Sequence, residues 1–401
     1  MYIRQQCLYS FEEALKLQAA SKLEKIMLTL DLQGIIEKIP CKNNGPKGYY
    51  FESKLRALIA ARIEQIPNTA ALVRRLKTDP QFRFSCGFEV IGSVPSEATF
   101  SRFIKQLSEL KVLEQVFNSL VNKAETMDLI DSSIVAIDSS KLKAYEKSKP
   151  KKYLSLDGKS ADWGAKRDTD GNKIKWFGYK VHISTDTKSE IPLACVITPA
   201  SVHDSQAVEL LMDKTNNNIN TKPKYWVMDS AYDKADLYQT IKEVYHAQAI
   251  IPLNTRGAIQ PPSGFDFNGT PICSAGYQMV YWGSYEGVNK FRCPHVLGKC
   301  DCAFGSTWCS ESNYGMLVKT KTRDDPRLFC TPHRGTANWK RIYNKRTGSE
   351  RCFGRLKEHL GLKDLNLQGI SKVETHVYLN LIALVSTVIA VNTQSDAQIA
   401  A

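Results

Sequence analysis

An α/β chain is expected from three features of the 401 residues. Residues 1–128 carry apolar side chains at helical spacing, and residues 129–254 break into short β-branched runs alternating with helical stretches. Residues 255–338 lose both rhythms to Gly, Pro, aromatics and six of the eleven cysteines, and residues 339–401 return to helix. The organisation expected is an N-terminal helical domain, a mixed sheet with helices, a Cys-rich and β-rich insertion, and a helical end that completes the sheet domain.

The helical block is read in SKLEKIMLTLDLQGII, FESKLRALIAARIEQI, AALVRRLK and FSRFIKQLSELKVLEQVFNSLV. Pro95 and Ser96 open the last of these, with Ser96 placed as an N-cap. Arg102 and Lys105 share that helix with Phe100, Phe103, Ile104 and Leu107, so it reads either as a DNA-recognition helix or as ordinary core packing. SIVAID (133–138) has the length and branching of a buried strand ending on a carboxylate, Asp138, and a polar, lysine-rich connection follows. YKVHISTD and IPLACVITPA flank TKSE as a hairpin. Asp204 or Ser205 then caps the helix AVELLMDK. YWVMD (225–229) is a second apolar strand closing on an acid, Asp229, and ADLYQTIKEVYH and AIIPLN add a helix and a strand. LIALVSTVIAV (381–391) is shorter than the roughly 20 residues a membrane span needs, which makes it a buried C-terminal helix. The N-terminus shows no signal or transit pattern, so a cytoplasmic protein without membrane association is expected.

Net charge is +13, and the surplus lies in the last third, where residues 254–401 hold 18 basic and 11 acidic side chains. Between Lys319 and Lys357, twelve basic residues face only Asp324, Asp325 and Glu350. Such a concentration suits a polyanion such as nucleic acid, through phosphate neutralisation and counterion release. A solvated basic face has the same composition. The same two readings apply to Lys141, Lys143, Lys147, Lys149, Lys151 and Lys152 after the first acid.

Within the basic stretch, YNKRTGSERCFGRLK (343–357) places Tyr343, Arg346, Glu350 and Lys357 in one sector of about 60° if it forms a regular helix. Phe353, Leu356 and Leu360 form an adjacent apolar stripe that could seat the helix on a sheet. An Arg346–Glu350 ion pair on a surface helix is the plain alternative, but Gly348 and Gly354 cost such a helix roughly 1 kcal/mol each. Two strand-terminal aspartates and a helical glutamate are what two-metal phosphoryl transfer requires. Hard carboxylate oxygens hold two Mg²⁺ ions roughly 4 Å apart while nearby cations grip phosphate. Asp233, at a helix start, is more simply a cap, and His203 with Asp204 reads as a cap and a packed histidine or as part of the site.

The spacing Y-(2)-R-(3)-E-(6)-K, met by Tyr343, Arg346, Glu350 and Lys357, resembles the signature of bacterial insertion-sequence DDE transposases with an RNase H-like catalytic fold. IDSS at Asp138 and MDSAYD at Asp229 look like the two aspartate motifs of that family. GYKVHIST and ITPASVHDS are similar to the blocks between them, and FRFSCGFEVIGSVPSEATFSRF to the helical domain that precedes the catalytic core. The resemblance implies that Asp138, Asp229 and Glu350 bind two Mg²⁺ or Mn²⁺ ions, and that Tyr343, Arg346 and Lys357 contact phosphates. It also implies double-stranded DNA as partner, both transposon ends and target, and a homodimer working on paired ends. The competing functions are an RNase H-like nuclease without strand transfer and a domesticated, non-catalytic DNA-binding protein. Three acids with the full helix signature speak against the last.

The insertion holds Cys273, Cys293, His295, Cys300, Cys302, Cys309, Cys330 and His333. A cytoplasmic location leaves zinc or free thiols instead of structural disulfides. The spacings C-x-H, C-x-C and C-x2-H suit Zn²⁺, with Cys293, Cys300, Cys302 and Cys330 as candidate ligands, although no pair of C-x2-C knuckles occurs. Trp282, Trp308 and Trp339 are candidates for stacking on unpaired bases or for core packing.

Overall fold

The computed structural model of the protein describes residues 10, 13–15, 20–37, 39, 48–148, 160–167, 172–255, 257–305 and 307–399. Lys149, Lys151 and Lys152 lie outside this set. Helices α1 (Lys22–Met27), α2 (Gln33–Ile36), α3 (Phe51–Ile63), α4 (Thr69–Thr78), α5 (Pro80–Ser85), α6 (Glu97–Leu110) and α7 (Val112–Thr126) precede the sheet. Their starts follow the sequence signals. Ser21 and Glu24 make a reciprocal capping box on α1, Asp79 caps α5 ahead of Pro80, and Ser96 Oγ accepts from Thr99 N–H on α6. Phe100, Phe103, Ile104 and Leu107 of α6 are buried while Arg102 and Lys105 face outward. The aromatics of this helix are therefore core residues, and only its polar face is open to a partner.

Strand β1 (Ile134–Lys143) opens the catalytic region, followed by β2 (Asp162–Arg167), β3 (Lys173–Asp186), β4 (Pro192–Pro199), α8 (Asp204–Asn218), β5 (Tyr225–Val227), α9 (Ala235–Glu243) and β6 (Gln248–Ile250). β3 pairs antiparallel with β1, β2 and β4, whereas β1–β5 and β5–β6 are parallel. This is the expected mixed sheet flanked by helices, with the expected β3–β4 hairpin turning through Glu190 at φ +61°. Two details differ from the sequence reading. β1 does not end at Asp138 but runs on to Lys143, because β3 continues to pair with it through Gly178. The lysine-rich connection also contains an unforeseen strand, β2, whose DWGAKR sequence lacks an alternating apolar face.

Alternate residues of β1 face opposite sides of the sheet. Val135 and Ile137 join the large core, which takes in the N-terminal helices, while Ile134 and Ala136 join a small one with Val227, Ile250, Cys330, Trp339 and Ile342. The last helix, α12 (Ile370–Ile399), packs on α1, α3, α6, α7 and β4. It is longer than the expected 381–391 segment: over Ile370–Thr393 it has the length and apolarity of a membrane span, yet most of that window is buried inside the protein. The N-terminal block thus shares its core with the C-terminal helix and does not close one of its own. The insertion carries a three-stranded antiparallel sheet of β7 (Val280–Tyr285), β8 (Val288–Arg292) and β9 (Leu317–Lys321).

Candidate active site

The parallel register brings the two aspartates together. β1 and β5 pair from Ile134↔Tyr225 to Ala136↔Val227, so Asp138 on β1 and Asp229 just past the end of β5 each stand two residues beyond the last matched pair, near enough for Asp229 to act on Asp138 through its charge. Beyond Val227 the second strand leaves the sheet into a 3₁₀ turn, Ser230–Tyr232, whose N-cap is Asp229 with Oδ1 accepting from Ala231 N–H at 2.9 Å. Asp138 Oδ1 accepts from Ser139 N–H at 2.8 Å. Each carboxylate is thus oriented by a backbone donor, with its second oxygen left for other partners.

The glutamate lies on a helix, as the sequence suggests, but that helix begins later. Tyr343 ends α10 (Ala337–Tyr343), a 3₁₀ turn spans Asn344–Arg346, and Glu350 and Lys357 lie on α11 (Thr347–His359). The single regular helix expected over 343–357 is interrupted by this 3₁₀ turn, yet Arg346 still meets Glu350 four residues on and stands over Tyr343. The turn carries the chain from the small core, under Trp339 and Ile342, to the large core, where Cys352, Phe353 and Leu356 are buried. Gly348 permits the crossing, since a Cβ there would lie 3.2 Å from Thr187 O and 3.3 Å from Thr187 Cα in the β3–β4 turn. Glu190 of the same turn bridges Arg351 and Arg355, fixing the rotation of α11.

Arg346 is the hub of the site. Its Nη2 is 2.5 Å from Glu350 Oε1 and its Nη1 is 3.8 Å from Asp138 Oδ2, and its guanidinium stands over the Tyr343 ring at 5.9 Å. Tyr343 in turn stacks on Trp339 with centroids 5.1 Å apart. Trp339 is consequently committed to packing, whereas Trp282 and Trp308 are exposed. Lys357 Nζ lies over Phe353 at 5.5 Å, and its charge is felt by Asp138, Lys166 and Lys141.

Burial and like charge act in the same direction on the two aspartates. Desolvation first, then Asp229 and Glu350, push Asp138 up to about 6 against the pull of Ser139 N–H and Arg346. Asp229 is raised as well, chiefly by desolvation and also by Asp204. For Arg346, burial opposes the charge, but Glu350, Tyr343 and Asp138 together raise it. Lys357 is lowered, mainly by desolvation. A pocket that raises Asp138 and Asp229 calls for added positive charge. The donors suit Mg²⁺ or Mn²⁺ in kind, being hard oxygens. In position they are held apart by the guanidinium: among the described residues no group of three or more His, Cys, Asp or Glu is set to hold an ion as it stands.

The structure decides between readings that the sequence leaves open. Asp204 is not the cap of α8; His203 is, with Nδ1 accepting from Ser205 N–H, while Asp204 pairs with Lys180 Nζ at 2.8 Å and accepts from Ser139 Oγ at 2.9 Å beside Asp138. Asp233 is not a cap either. It is buried, its carboxylate bound by Arg327 and by Asn254 N–H, and so it is withdrawn from the acid cluster. Lys141, one of the lysines singled out after the first acid, and Lys166, which no motif announces, bring positive charge from β1 and β2. Of the proposed thiol ligands, Cys293, Cys300 and Cys302 share a cavity with Cys273, Cys309 and His295. Cys330 stands apart, buried in the small core with its Sγ–H donating to Pro332 O.

Two family models match the chain: "Transposase DDE domain" over residues 130–386 and "Transposase domain (DUF772)" over residues 11–106. No curated protein matches it. Among solved structures, a cryo-EM piggyBac transposase synaptic complex with hairpin DNA is similar at 9% identity and a TM-score of 0.42, over 98% of this chain and 77% of that one, a likeness too distant to bear on the site. The first match alone spans well over half of the sequence and takes in all three acids together with the arginine between them. The chain belongs to the DDE transposase family, whose members act on DNA and generally use divalent metal ions.

Proposed function

We propose that this transposase hydrolyses the phosphodiester at each transposon end and joins the freed 3′ hydroxyl to target DNA, with Asp138, Asp229 and Glu350 as ligands of two Mg²⁺ or Mn²⁺ ions. The observation that supports this reading is the register: Asp138 and Asp229 follow the same end of two paired parallel strands at equal offsets, Asp229 raises Asp138, and Arg346 links Asp138 to Glu350. When bound, the ions would neutralise charge at the phosphate and activate the attacking oxygen. The chain's own part is to hold the carboxylates on strand and helix, with Ser139 N–H and Ala231 N–H fixing one oxygen of each aspartate. Arg346 exchanges its carboxylate partners for a DNA phosphate, a bidentate match for its guanidinium. Lys357, with Lys141 and Lys166, lines the path of the backbone, and Tyr343 positions Arg346 through ring contact. Residues 1–128 are read as the end-binding region, and the protein as a cytoplasmic homodimer acting on the two ends of its element.

The test is cleavage and joining of DNA carrying the element's own ends, with and without Mg²⁺. The reading expects both products, metal-dependent, and their loss in Asp138→Ala, Asp229→Ala and Glu350→Ala with DNA binding largely retained. Hydrolysis without joined product would reduce the protein to a nuclease, and substantial cleavage by any of the three variants would remove that residue from the ligand set.

A further inference from the structure

The thiols of the insertion form a second constellation, independent of the acid site. From residue 295 to 314 no described residue is buried and no helix or strand forms. That is a longer unsupported path than compact domains usually hold without a staple. The path is nevertheless defined. Gly276 N–H donates to Cys273 O at 2.8 Å and Gly305 N–H to Cys302 O at 3.0 Å, with the glycines at φ +83° and +67°. Two C-x2-G turns of the same construction therefore present Cys273 and Cys302. Tyr277 OH donates to Asp301 O at 3.1 Å, tying the first turn to the second. Gly315 presses on the third cysteine: a Cβ there would lie 2.7 Å from Cys293 Cβ. These segments converge on a cavity of about 10 Å³ lined by cysteines, room for one water-sized occupant.

We propose that Cys273, Cys293, Cys300 and Cys302 bind one zinc ion that pins the loop of the insertion to its sheet. Four thiolates are the donor set of a closed structural zinc site. The ring of His295 has its Nδ1 3.2 Å from Cys302 N and 3.3 Å from Cys300 O. Its role is to hold the Cys300–Cys302 segment in place. Cys300 and Cys302 lie on the segment held by His295, and Cys273 and Cys293 on the turn and strand end packed against it. The side chains do not stand in coordinating positions, so the sulfurs close on the ion by rotation on turns already formed. Each thiol releases its proton to solvent as the Zn–S bond forms. The expected set from sequence is thereby revised, Cys273 replacing Cys330.

The test uses the full chain and needs no DNA activity. Protein purified without chelator is assayed for zinc, and its thiols are counted with a chromogenic disulfide before and after a strong chelator. We expect about one zinc per chain and four thiols unmasked by chelation. Replacement by Co²⁺ should give the sulfur-to-metal charge-transfer and tetrahedral d–d absorption of a thiolate site. Cys273→Ser and Cys302→Ser should lose the metal, while Cys309→Ser and Cys330→Ser keep it. Zinc below half an equivalent, no change in reactive thiols on chelation, or a disulfide among the four would overturn the site. Loss of zinc in Cys309→Ser or Cys330→Ser would overturn the ligand set.

Discussion

The sheet region and the insertion of this chain place reactive side chains by opposite means. In the sheet, Asp138 and Asp229 are carried by strands whose other faces are sunk in apolar cores, so their positions follow from register and burial. In the insertion, no described residue of 295–314 is fully buried, and the cysteines of the thiol cavity are held by two turns, a tyrosine hydroxyl and a histidine. The lesson is that a site on a buried scaffold can afford unfavourable charge, because packing energy of many residues holds it together. A site on an exposed loop depends on its ligand to stay in place.

The comparison breaks most readily at the acids. Alanine at Asp138, Asp229 or Glu350 should lower metal-dependent cleavage by more than the roughly 100-fold that outer-sphere changes cost, measured on end-bearing DNA, while thermal unfolding stays cooperative. A large loss of fold in any of them would mean the acid is structural. Next in size is a gain. Asp138 is raised to about 6, so the native state holds its proton more tightly than the unfolded chain, and stability falls as pH rises from about 4 through 6. Asp138→Asn should therefore stabilise the protein by about 1–3 kcal/mol at neutral pH, a gain that disappears below pH ~4. Denaturant melts of both proteins across that range will show it.

Two glycines of α11 sharpen the point that the helix is seated and not merely stable. Gly348→Val, pressed on Thr187 backbone, should destabilise by about 1–3 kcal/mol, whereas Gly354→Ala, with nothing within 4 Å of the added methyl, should stabilise by up to about 1 kcal/mol. The smallest stability effect is expected at Glu190. Glu190→Gln loosens Arg351 and Arg355, which are partly exposed, and should cost under about 1 kcal/mol. Its cleavage rate should fall roughly 10-fold all the same, because Glu350 rides on that helix. Equal losses in rate and stability would show that Glu190 only holds the fold.

Much of this was legible in the sequence because it is local. Cap residues, the β3–β4 hairpin, the apolar runs before each aspartate and the charge bias toward the C-terminal third all depend on near neighbours. What stayed hidden depends on distant partners. β1 continues past Asp138 because β3, some forty residues on, still pairs with it. Asp204 joins the acid cluster through Ser139 and Lys180, which its own helix cannot reveal. The 3₁₀ turn at Asn344–Arg346 arises where the chain passes between two cores, a tightening that an ideal helical projection of 343–357 does not show, although Arg346 still meets Tyr343 and Glu350 as that projection expects. Cys330 and Cys293 look alike in spacing, and only the fold sends one to the small core and the other to the thiol cavity. The N-terminal block looked self-contained because the helix that completes its core is the last one in the chain.

Convergence of the three acids can be measured without any turnover. Fe²⁺ substituted for the native cation, with peroxide and ascorbate, generates hydroxyl radicals that cut the backbone close to the bound ion. Fragments should map to the neighbourhoods of 138, 229 and 350 together, and excess Mg²⁺ should suppress all three. Cuts confined to one of these segments, or clustered elsewhere in the chain, would show that the carboxylates do not share an ion.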